Sequence, residues 1–364
     1  MLMIAEAAKG SGWTVAVAFE RLPDTAALAQ QVRDDLDAQY IDVSLGDEPQ
    51  RRVRHQIVVT TRLIRRVQPD AALIVLPWPD RGLGCIIAAG LMASPAVVLF
   101  TLAPWVVGTA RWGPLLRWAQ RRQQRWVAVS NQNRRALATT FAVPETSIKT
   151  IYNGLPRRAC PSQPERAEAR AKLAAEQDLP SAARVLVTVG RLADEKGYRD
   201  LLEAVPRVLA AHPEAYFIWL GEGELRDQLE RSILERGLRR NIRLLGQRQD
   251  VAAILRAGDL FVLPSHLEGL PFALLEAMQA GVPIVTSDAG GNCEVIRHGI
   301  DGLVHAAGNT RELGREIGWA LDHPTQMHDM ASSAYARLSS FSRDEMLRQS
   351  LDTLKDLRPA RRRA

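Results

Sequence analysis

Two glutamates stand eight positions apart in an otherwise apolar stretch of the chain. Glu268 follows the strand-like run 259–265, and Glu276 lies inside the helical pattern 272–279. At a rise of 1.5 Å per residue, Glu276 would lie about 7–8 Å along that helix from the turn. Carboxylates in such surroundings need hydrogen-bond donors, so the pair is a candidate for binding hydroxyl groups. The alternative is that Glu276 faces solvent.

The turn between the two glutamates has the features of an anion site. Gly269, Leu270 and Pro271 lead into a helix that starts near Phe272, and proline suits the first helical turn. Gly269 lets the backbone approach a ligand closely. The free N–H groups and the dipole at the helix start attract a phosphate.

Two cations follow another strand-like run, 184–189. After Gly190 come Arg191 and, five positions later, Lys196, on a loop at the carboxyl end of the predicted strand. Arginine offers a fork of donors and lysine a mobile point charge, and both suit a phosphate. The alternative is two solvated loop cations.

Together these groups describe a site for a nucleotide-sugar. Carboxylates beside a diphosphate are tolerated when they accept hydrogen bonds from hydroxyl groups. One glutamate would hold the sugar hydroxyls and the other the ribose. The phosphates would lie between them, at the helix start and against Arg191 and Lys196.

The elements that must position these residues alternate regularly in the C-terminal half. Continuous apolar strands separated by amphipathic helices predict a parallel sheet covered on both faces, in a doubly wound α/β domain. The predicted strands are 184–189, 215–220, 242–245, 260–263, 283–286 and 303–305, and the predicted helices are 198–210, 224–236, 250–257, 272–279 and 310–322.

The N-terminal half alternates less regularly, with predicted strands at 13–19, 71–76, 96–101, 126–129 and 148–151. The proline-rich run 156–164 predicts a linker between two Rossmann-like domains that face a cleft. We predict an acceptor-side domain over 1–160 and a nucleotide-sugar domain over 161–340. A helix and basic tail over 341–364 are predicted to return to the first domain.

The motifs of the C-terminal half resemble those of the retaining GT-B glycosyltransferases, specifically glycosyltransferase family 4. The resemblance spans about 184–305, and the combined order of the motifs is highly specific. It rests on Gly190-Arg191-Leu192 with Lys196-Gly197, on Gly221-Glu222-Gly223, on Glu268-x7-Glu276, on Gly281-Val282-Pro283, and on Gly290-Gly291 with Glu294, Gly299 and Gly302.

The resemblance implies an enzyme without cofactor or metal that moves a sugar from a UDP- or GDP-sugar to a glycan, lipid-linked or small-molecule acceptor. Arg191 and Lys196 would bind the diphosphate and stabilise the leaving group, as fixed cations beside a developing charge do. Glu268 would contact the transferred sugar and Glu276 the ribose. The backbone of residues 269–272 and Gly190 would line the same site.

The N-terminal half departs from the family pattern. The chain begins in what is predicted to be the first helix, so the usual first strand and its glycine-rich loop are expected to be missing. A histidine is common after the strand that here ends at Thr101, yet none occurs between His55 and His212. These departures support an alternative, a GT-B protein that binds nucleotide without efficient turnover.

Composition limits the other function classes. The three cysteines, Cys85, Cys160 and Cys293, are scattered and odd in number, which predicts a reducing, cytoplasmic compartment and no zinc site. A dehydrogenase would need Gly-x-Gly-x-x-Gly, and Gly221-Glu-Gly223 lacks the third glycine. The pI of about 9.5 comes without a nucleic-acid-binding motif, so no nucleic-acid partner is predicted.

One basic segment suggests a membrane partner. Residues 104–126 hold four of the eight tryptophans, five arginines and no acid. Indole rings and arginines favour an anionic lipid surface, so peripheral attachment at the inner membrane face is one prediction. The alternative is a packed amphipathic helix over 114–125, with Leu115 and Trp118 against the sheet. Residues 85–108 carry no charge, but their prolines predict a buried helix (85–93) and strand (96–101).

Overall fold

The computed structural model describes residues 1–19, 26–34, 36, 38–43, 49–76, 82–102 and 112–357. The chain divides into two compact units, each an α/β domain. The first comprises Met1–Tyr152 and the chain from Asp344 onward, and the second comprises Asn153–Arg343.

The first unit is built on parallel strands. Within the described residues its main sheet has the order β3-β4-β5-β6, and a separate pair, β1-β2, is also parallel. The strands are β1 (Ala16–Phe19), β2 (Gln39–Asp42), β3 (Ala72–Leu76), β4 (Ala96–Phe100), β5 (Gln124–Ala128) and β6 (Ile148–Thr150). The helices are α1 (Leu2–Gly10), α2 (Ala26–Asp34), α3 (Pro49–Val67), α4 (Leu83–Leu91), α5 (Gly113–Gln120) and α6 (Asn131–Phe141).

Helices cover both faces of the main sheet, so the central residues of its strands are mostly apolar and buried. On one face, α3 to α6 pack against Phe100 and Trp126, which are buried. On the other face, Val97 and Val127 pack against α1 and the C-terminal helix α15 (Arg343–Lys355). The last helix of the chain is therefore part of the core of the first unit.

The second unit holds a parallel sheet of six strands, all within the described residues, in the order β12-β11-β10-β7-β8-β9. The strands are β7 (Arg184–Val189), β8 (Ala215–Leu220), β9 (Ile242–Gly246), β10 (Leu260–Leu263), β11 (Ile284–Ser287) and β12 (Leu303–His305). The helices are α7 (Gln163–Gln177), α8 (Tyr198–Ala211), α9 (Arg226–Glu235), α10 (Val251–Ala257), α11 (Phe272–Ala280), α12 (Asn292–Val295), α13 (Thr310–Asp322) and α14 (Pro324–Arg337).

The strand order of the second unit is that of a doubly wound sheet. The chain starts at the central strand β7, adds β8 and β9 on one side, then crosses to β10 and continues outward through β11 and β12. The direction of winding reverses between β7 and β10. In such sheets ligands bind at the carboxyl ends of the strands, at this switch point.

The prediction of two α/β domains with parallel sheets is confirmed, and one local prediction is wrong. The predicted helix 114–125 ends at Gln120, because Gln123 turns the chain with φ 50° and β5 begins at Gln124. Arg125 therefore lies on a strand and does not share a helical face with Arg121. None of the helices that the structure describes combines the length and the apolar character needed to cross a bilayer.

Candidate functional site

The candidate residues lie on the two loops that flank the switch point. Gly190, Arg191 and Lys196 follow β7, and residues 264–271 follow β10. β7 and β10 are hydrogen-bonded neighbours in the sheet, so both loops leave the same edge side by side. Two segments about 75 residues apart in sequence are thereby brought together.

Lys196 and Glu268 form an ion pair at this edge. Lys196 Nζ lies 2.7 Å from Glu268 Oε1, and the two side chains are 22% and 5% exposed. Ser265 Oγ donates a second hydrogen bond to the same oxygen, at 2.8 Å. Glu268 Oε2 makes no hydrogen bond in the described part of the chain, and Lys196 uses one of its three donors. Each partner thus retains capacity for a ligand.

Backbone contacts that require glycine hold the loops around this pair. Gly197 has φ 70°, and a Cβ there would lie 2.1 Å from the Pro264 carbonyl oxygen. Gly290 has φ 51°, and its Cβ would lie 1.8 Å from the carbonyl oxygen of Glu268. Residues other than glycine rarely adopt such φ values, and a Cβ would not fit in these spaces. The positions of Lys196 and Glu268 are therefore set by close backbone packing.

The start of α11 lies where the sequence predicted an anion-binding helix N-terminus. The sequence predicted Pro271 in the first helical turn. Pro271 is instead the N-cap residue, with extended backbone (φ −74°, ψ 130°), and the helix begins one position later at Phe272. No side chain caps this helix, so its first N–H groups stay available for a ligand. Leu270 is buried and its carbonyl oxygen accepts from Asn153 Nδ2 at 2.7 Å, whereas Phe272 is 37% exposed.

Arg191 is more exposed than Lys196 and already has acidic neighbours. Its guanidinium contacts the Glu195 carboxylate, and its Nη1 lies 3.6 Å from Glu224 Oε2. The side chain is 49% exposed. The sequence motif did not reveal these carboxylates, which partly neutralise Arg191 in the ligand-free protein.

Glu276 is half-buried on α11, so it is neither fully buried nor simply facing solvent. Burial raises the pKa of its carboxyl above the ordinary value of 4.5. No hydrogen bond or ion pair to its side chain occurs among the described residues. A partly desolvated carboxylate without a partner, midway along α11, is suited to accept hydrogen bonds from a ligand's hydroxyl groups.

The site is supported by three further residues, which were not among the predicted site residues. Tyr198, fully buried, donates its hydroxyl hydrogen to the Gly190 carbonyl oxygen at 2.9 Å and fixes the loop after β7. Ser265 orients Glu268, and Asn153 holds the backbone at Leu270. Their only sequence signal is a polar side chain beside a strand end.

Most of the second unit is similar in sequence to known proteins. Residues 169–337 match the family model of the glycosyl transferases group 1. An uncharacterized glycosyltransferase of Methanocaldococcus jannaschii is 31% identical over 182 residues, 49% of this chain and 45% of that protein. The 2-deoxystreptamine glucosyltransferase of Streptomyces kanamyceticus is 30% identical over 213 residues, 57% of this chain and 54% of that protein. The matches thus span about half the length of these curated relatives.

Solved structures match over nearly the whole chain. A glycosyltransferase from Rickettsia africae superposes with a TM-score of 0.78 at 17% identity, covering 98% of this chain and 93% of that one. Anabaena HepE in complex with UDP-glucose superposes with a TM-score of 0.77 at 21% identity, covering 98% and 95%. The chain therefore has the GT-B fold, and its segment 169–337 has the sequence features of the glycosyl transferases group 1.

Proposed function

We propose that the chain is a retaining, metal-independent glycosyltransferase of family 4 that transfers a sugar from a UDP- or GDP-sugar to a glycan, lipid-linked or small-molecule acceptor. The observation that carries the proposal is the Lys196–Glu268 pair, with its spare hydrogen-bonding capacity, beside the uncapped start of α11. The proposal is supported by the family match of this segment.

Each group has a role in the departure of a nucleoside diphosphate. The leaving diphosphate gains negative charge as the glycosidic bond to the sugar breaks. Lys196 and the N–H groups of α11 stabilise that charge without rearrangement, because both are held in place by the fold. Arg191 joins them when its contact with Glu195 is exchanged for a phosphate contact.

The two glutamates divide the recognition of the donor. Glu268 Oε2 accepts a hydrogen bond from a hydroxyl group of the transferred sugar, while Oε1 remains paired with Lys196. Glu276, farther along α11, accepts hydrogen bonds from the ribose hydroxyl groups. Nucleotide affinity therefore depends on Glu276, and turnover depends on Glu268.

Calorimetric titration with UDP, GDP and the matching sugar nucleotides tests the donor site. Lys196→Ala should weaken nucleotide binding by about 1.5–3 kcal/mol, the scale of a charge-assisted hydrogen bond. Arg191→Ala should also weaken it, but by less, because that side chain is half exposed and already paired. Arg236→Ala, on the exposed end of α9, is the matched control. Unchanged affinity in both variants at the site would disprove the phosphate assignment.

Turnover assays test the chemistry. Glu268→Ala should lose transfer while keeping most of its nucleotide affinity, and Glu276→Ala should lose affinity. Transfer should persist in EDTA, and NMR of the product should show the donor's anomeric configuration retained. Full nucleotide binding without transfer to any acceptor would instead support a binding protein that lacks turnover.

A membrane partner is proposed for the first unit, from exposed apolar side chains and arginines on three successively packed helices, here called the patch. Val58 on α3, Leu91 on α4 and Trp118 on α5 are 46%, 56% and 38% exposed. Of the two residues predicted to pack against the sheet, Leu115 packs against the core and Trp118 is exposed, with the Arg122 guanidinium 5.7 Å from its ring centroid. Arg62 follows Val58 by one helical turn. Residues 103–111 of the basic segment lie outside the described residues.

The patch suits an anionic membrane surface and a lipid-linked or membrane-proximal acceptor. Each cation near such a surface adds about 1 kcal/mol, so a few arginines give reversible attachment at low salt. Flotation with anionic vesicles tests this. Trp118→Ser with Leu91→Ser should reduce binding, and Leu234→Ser, an exposed leucine of the second unit, should not. No flotation at low salt would disprove it.

A further inference from the structure

A second cationic cavity lies at the opposite edge of the second unit's sheet. It has a volume of about 960 Å³, and Gly258, Asp259 and Pro283, which precede β10 and β11, contribute to its wall. Arg184, the first residue of β7, also lines it. At about 3.3 Å per residue, β7 separates Arg184 from Gly190 by about 20 Å. The cavity is thus distinct from the candidate donor site.

The wall of this cavity carries an excess of positive charge. Four arginines line it, and Asp259 is the one carboxylate among the lining residues. The arginines come from three elements, with Arg166 and Arg170 on α7, Arg184 on β7 and Arg256 on α10. The fold therefore brings separate cations to one concave surface.

Two of the arginines have a structural role. Arg166 Nη2 donates to the carbonyl oxygens of Ala280 and Gly281, at 2.8 and 3.1 Å, where α11 ends. Arg170 Nη1 donates to the Ala257 carbonyl oxygen at 2.7 Å and to Asp259 Oδ2 at 2.9 Å. Both arginines donate to carbonyl oxygens that are left free at helix C-termini, and the charge of Asp259 is neutralised by its pairing with Arg170.

The other two arginines lack such a role. Arg184 and Arg256 make no side-chain hydrogen bond or ion pair with the described residues, and Nε of Arg256 is buried without a hydrogen-bond partner. The nearby Glu165 carboxylate is engaged with the backbone N–H and Oγ of Ser162, at 2.7 Å each. Because buried donors are nearly always satisfied, an arginine that the protein leaves under-satisfied at the wall of a cationic cavity points to an anionic ligand.

We propose that this cavity binds a phosphorylated small molecule, with its phosphate between Arg184 and Arg256. A phosphate carries two charges and several acceptor oxygens, so it can meet guanidinium groups that approach from two different elements. The volume is that of a ligand pocket for a molecule larger than a free ion. The inference does not depend on the proposed transferase activity.

Cys160 provides a reporter at the cavity wall, and Cys293 provides a matched control on α12. Both thiols are exposed, and Cys160 Sγ lies 3.9 Å from Arg166 Nη2. The rate of alkylation at each cysteine is followed by mass spectrometry during titration with fructose 1,6-bisphosphate at constant ionic strength. We expect labelling of Cys160 to slow at least threefold and labelling of Cys293 to stay unchanged. Inorganic phosphate, the second probe, should protect Cys160 at higher concentration.

The double variant Arg184→Gln/Arg256→Gln tests the assignment. It should raise the protecting concentration at least about tenfold, the effect of losing a charge-assisted contact, while UDP affinity stays as in the parent protein. Arg236→Gln should leave protection intact. Two outcomes would overturn the proposal: no protection of Cys160 by either probe, or equal protection of Cys160 in the double variant.

Discussion

Lys196→Ala should destabilise the second unit, because it leaves the nearly buried Glu268 carboxylate without its ion partner. The two groups are 2.7 Å apart, and the glutamate side chain is only 5% exposed. Removing one partner of a buried pair leaves an uncompensated charge in a poorly hydrated position. The effect concerns folding and is expected without any ligand.

The size of the loss follows from the burial of both partners. Breaking a fully buried pair costs about 3–5 kcal/mol. Lys196 is 22% exposed, and Ser265 still donates to Glu268 Oε1 in the variant. We therefore expect a loss below that range, about 2–3 kcal/mol. Arg191→Ala is the matched control, because its half-exposed pairing with Glu195 is worth about 0.5 kcal/mol or less.

Native-state hydrogen exchange of β8 is the appropriate assay. The chain has two units, so a whole-chain unfolding midpoint would mix two transitions. All six residues of β8 are buried, and their amides report on the opening of the second unit alone. A loss of 2–3 kcal/mol corresponds to exchange that is roughly 30- to 150-fold faster.

The double variant Lys196→Ala/Glu268→Gln completes the test. It removes the uncompensated charge and should recover at least about 1 kcal/mol relative to Lys196→Ala. The reasoning fails if Lys196→Ala exchanges within threefold of Arg191→Ala. It also fails if the double variant exchanges faster than the single variant.

Three other predictions concern the loops and helix around the pair. Because burial raises the pKa of Glu276, stability of the second unit should fall as pH rises from 4.5 through that raised pKa. Glu276→Gln should abolish this dependence in hydrogen exchange of β8 from pH 4 to 8, corrected for intrinsic exchange rates, and should slow exchange at pH 7 while weakening nucleotide binding. Gly290→Ala should cost at least about 2 kcal/mol by hydrogen exchange of β8, because the new Cβ meets a carbonyl oxygen at positive φ, whereas Gly318→Ala, with open space inside α13, should stabilise by about 0.5–1 kcal/mol. Tyr198→Phe removes the hydrogen bond to Gly190 and should cost about 1 kcal/mol in the same assay, with weaker UDP binding by calorimetry; unchanged values would show that the loop is held by other contacts.

The buried strands of the second unit could be predicted from the local sequence. The strands predicted for the second unit agree with β7 to β12 within one residue at each end. A strand covered on both faces is a nearly continuous run of apolar residues, so the length of that run predicts the length of the strand. In the first unit the pattern failed at 114–125, because Gln120 and Gln124 fit a helix by composition. The turn at Gln123 and the burial of Trp126 decided otherwise.

The candidate site was predicted as residue types, and the tertiary structure decided their partners. Charge beside a predicted strand end or on a mostly apolar helix, together with the glycine motifs, marked Arg191, Lys196, Glu268 and Glu276. The pairing of Lys196 with Glu268, across 72 positions, depends on β7 and β10 becoming neighbours at the switch point. The meeting of Arg184 and Arg256 has the same cause, because strand order, which no local pattern encodes, determines which distant loops share an edge.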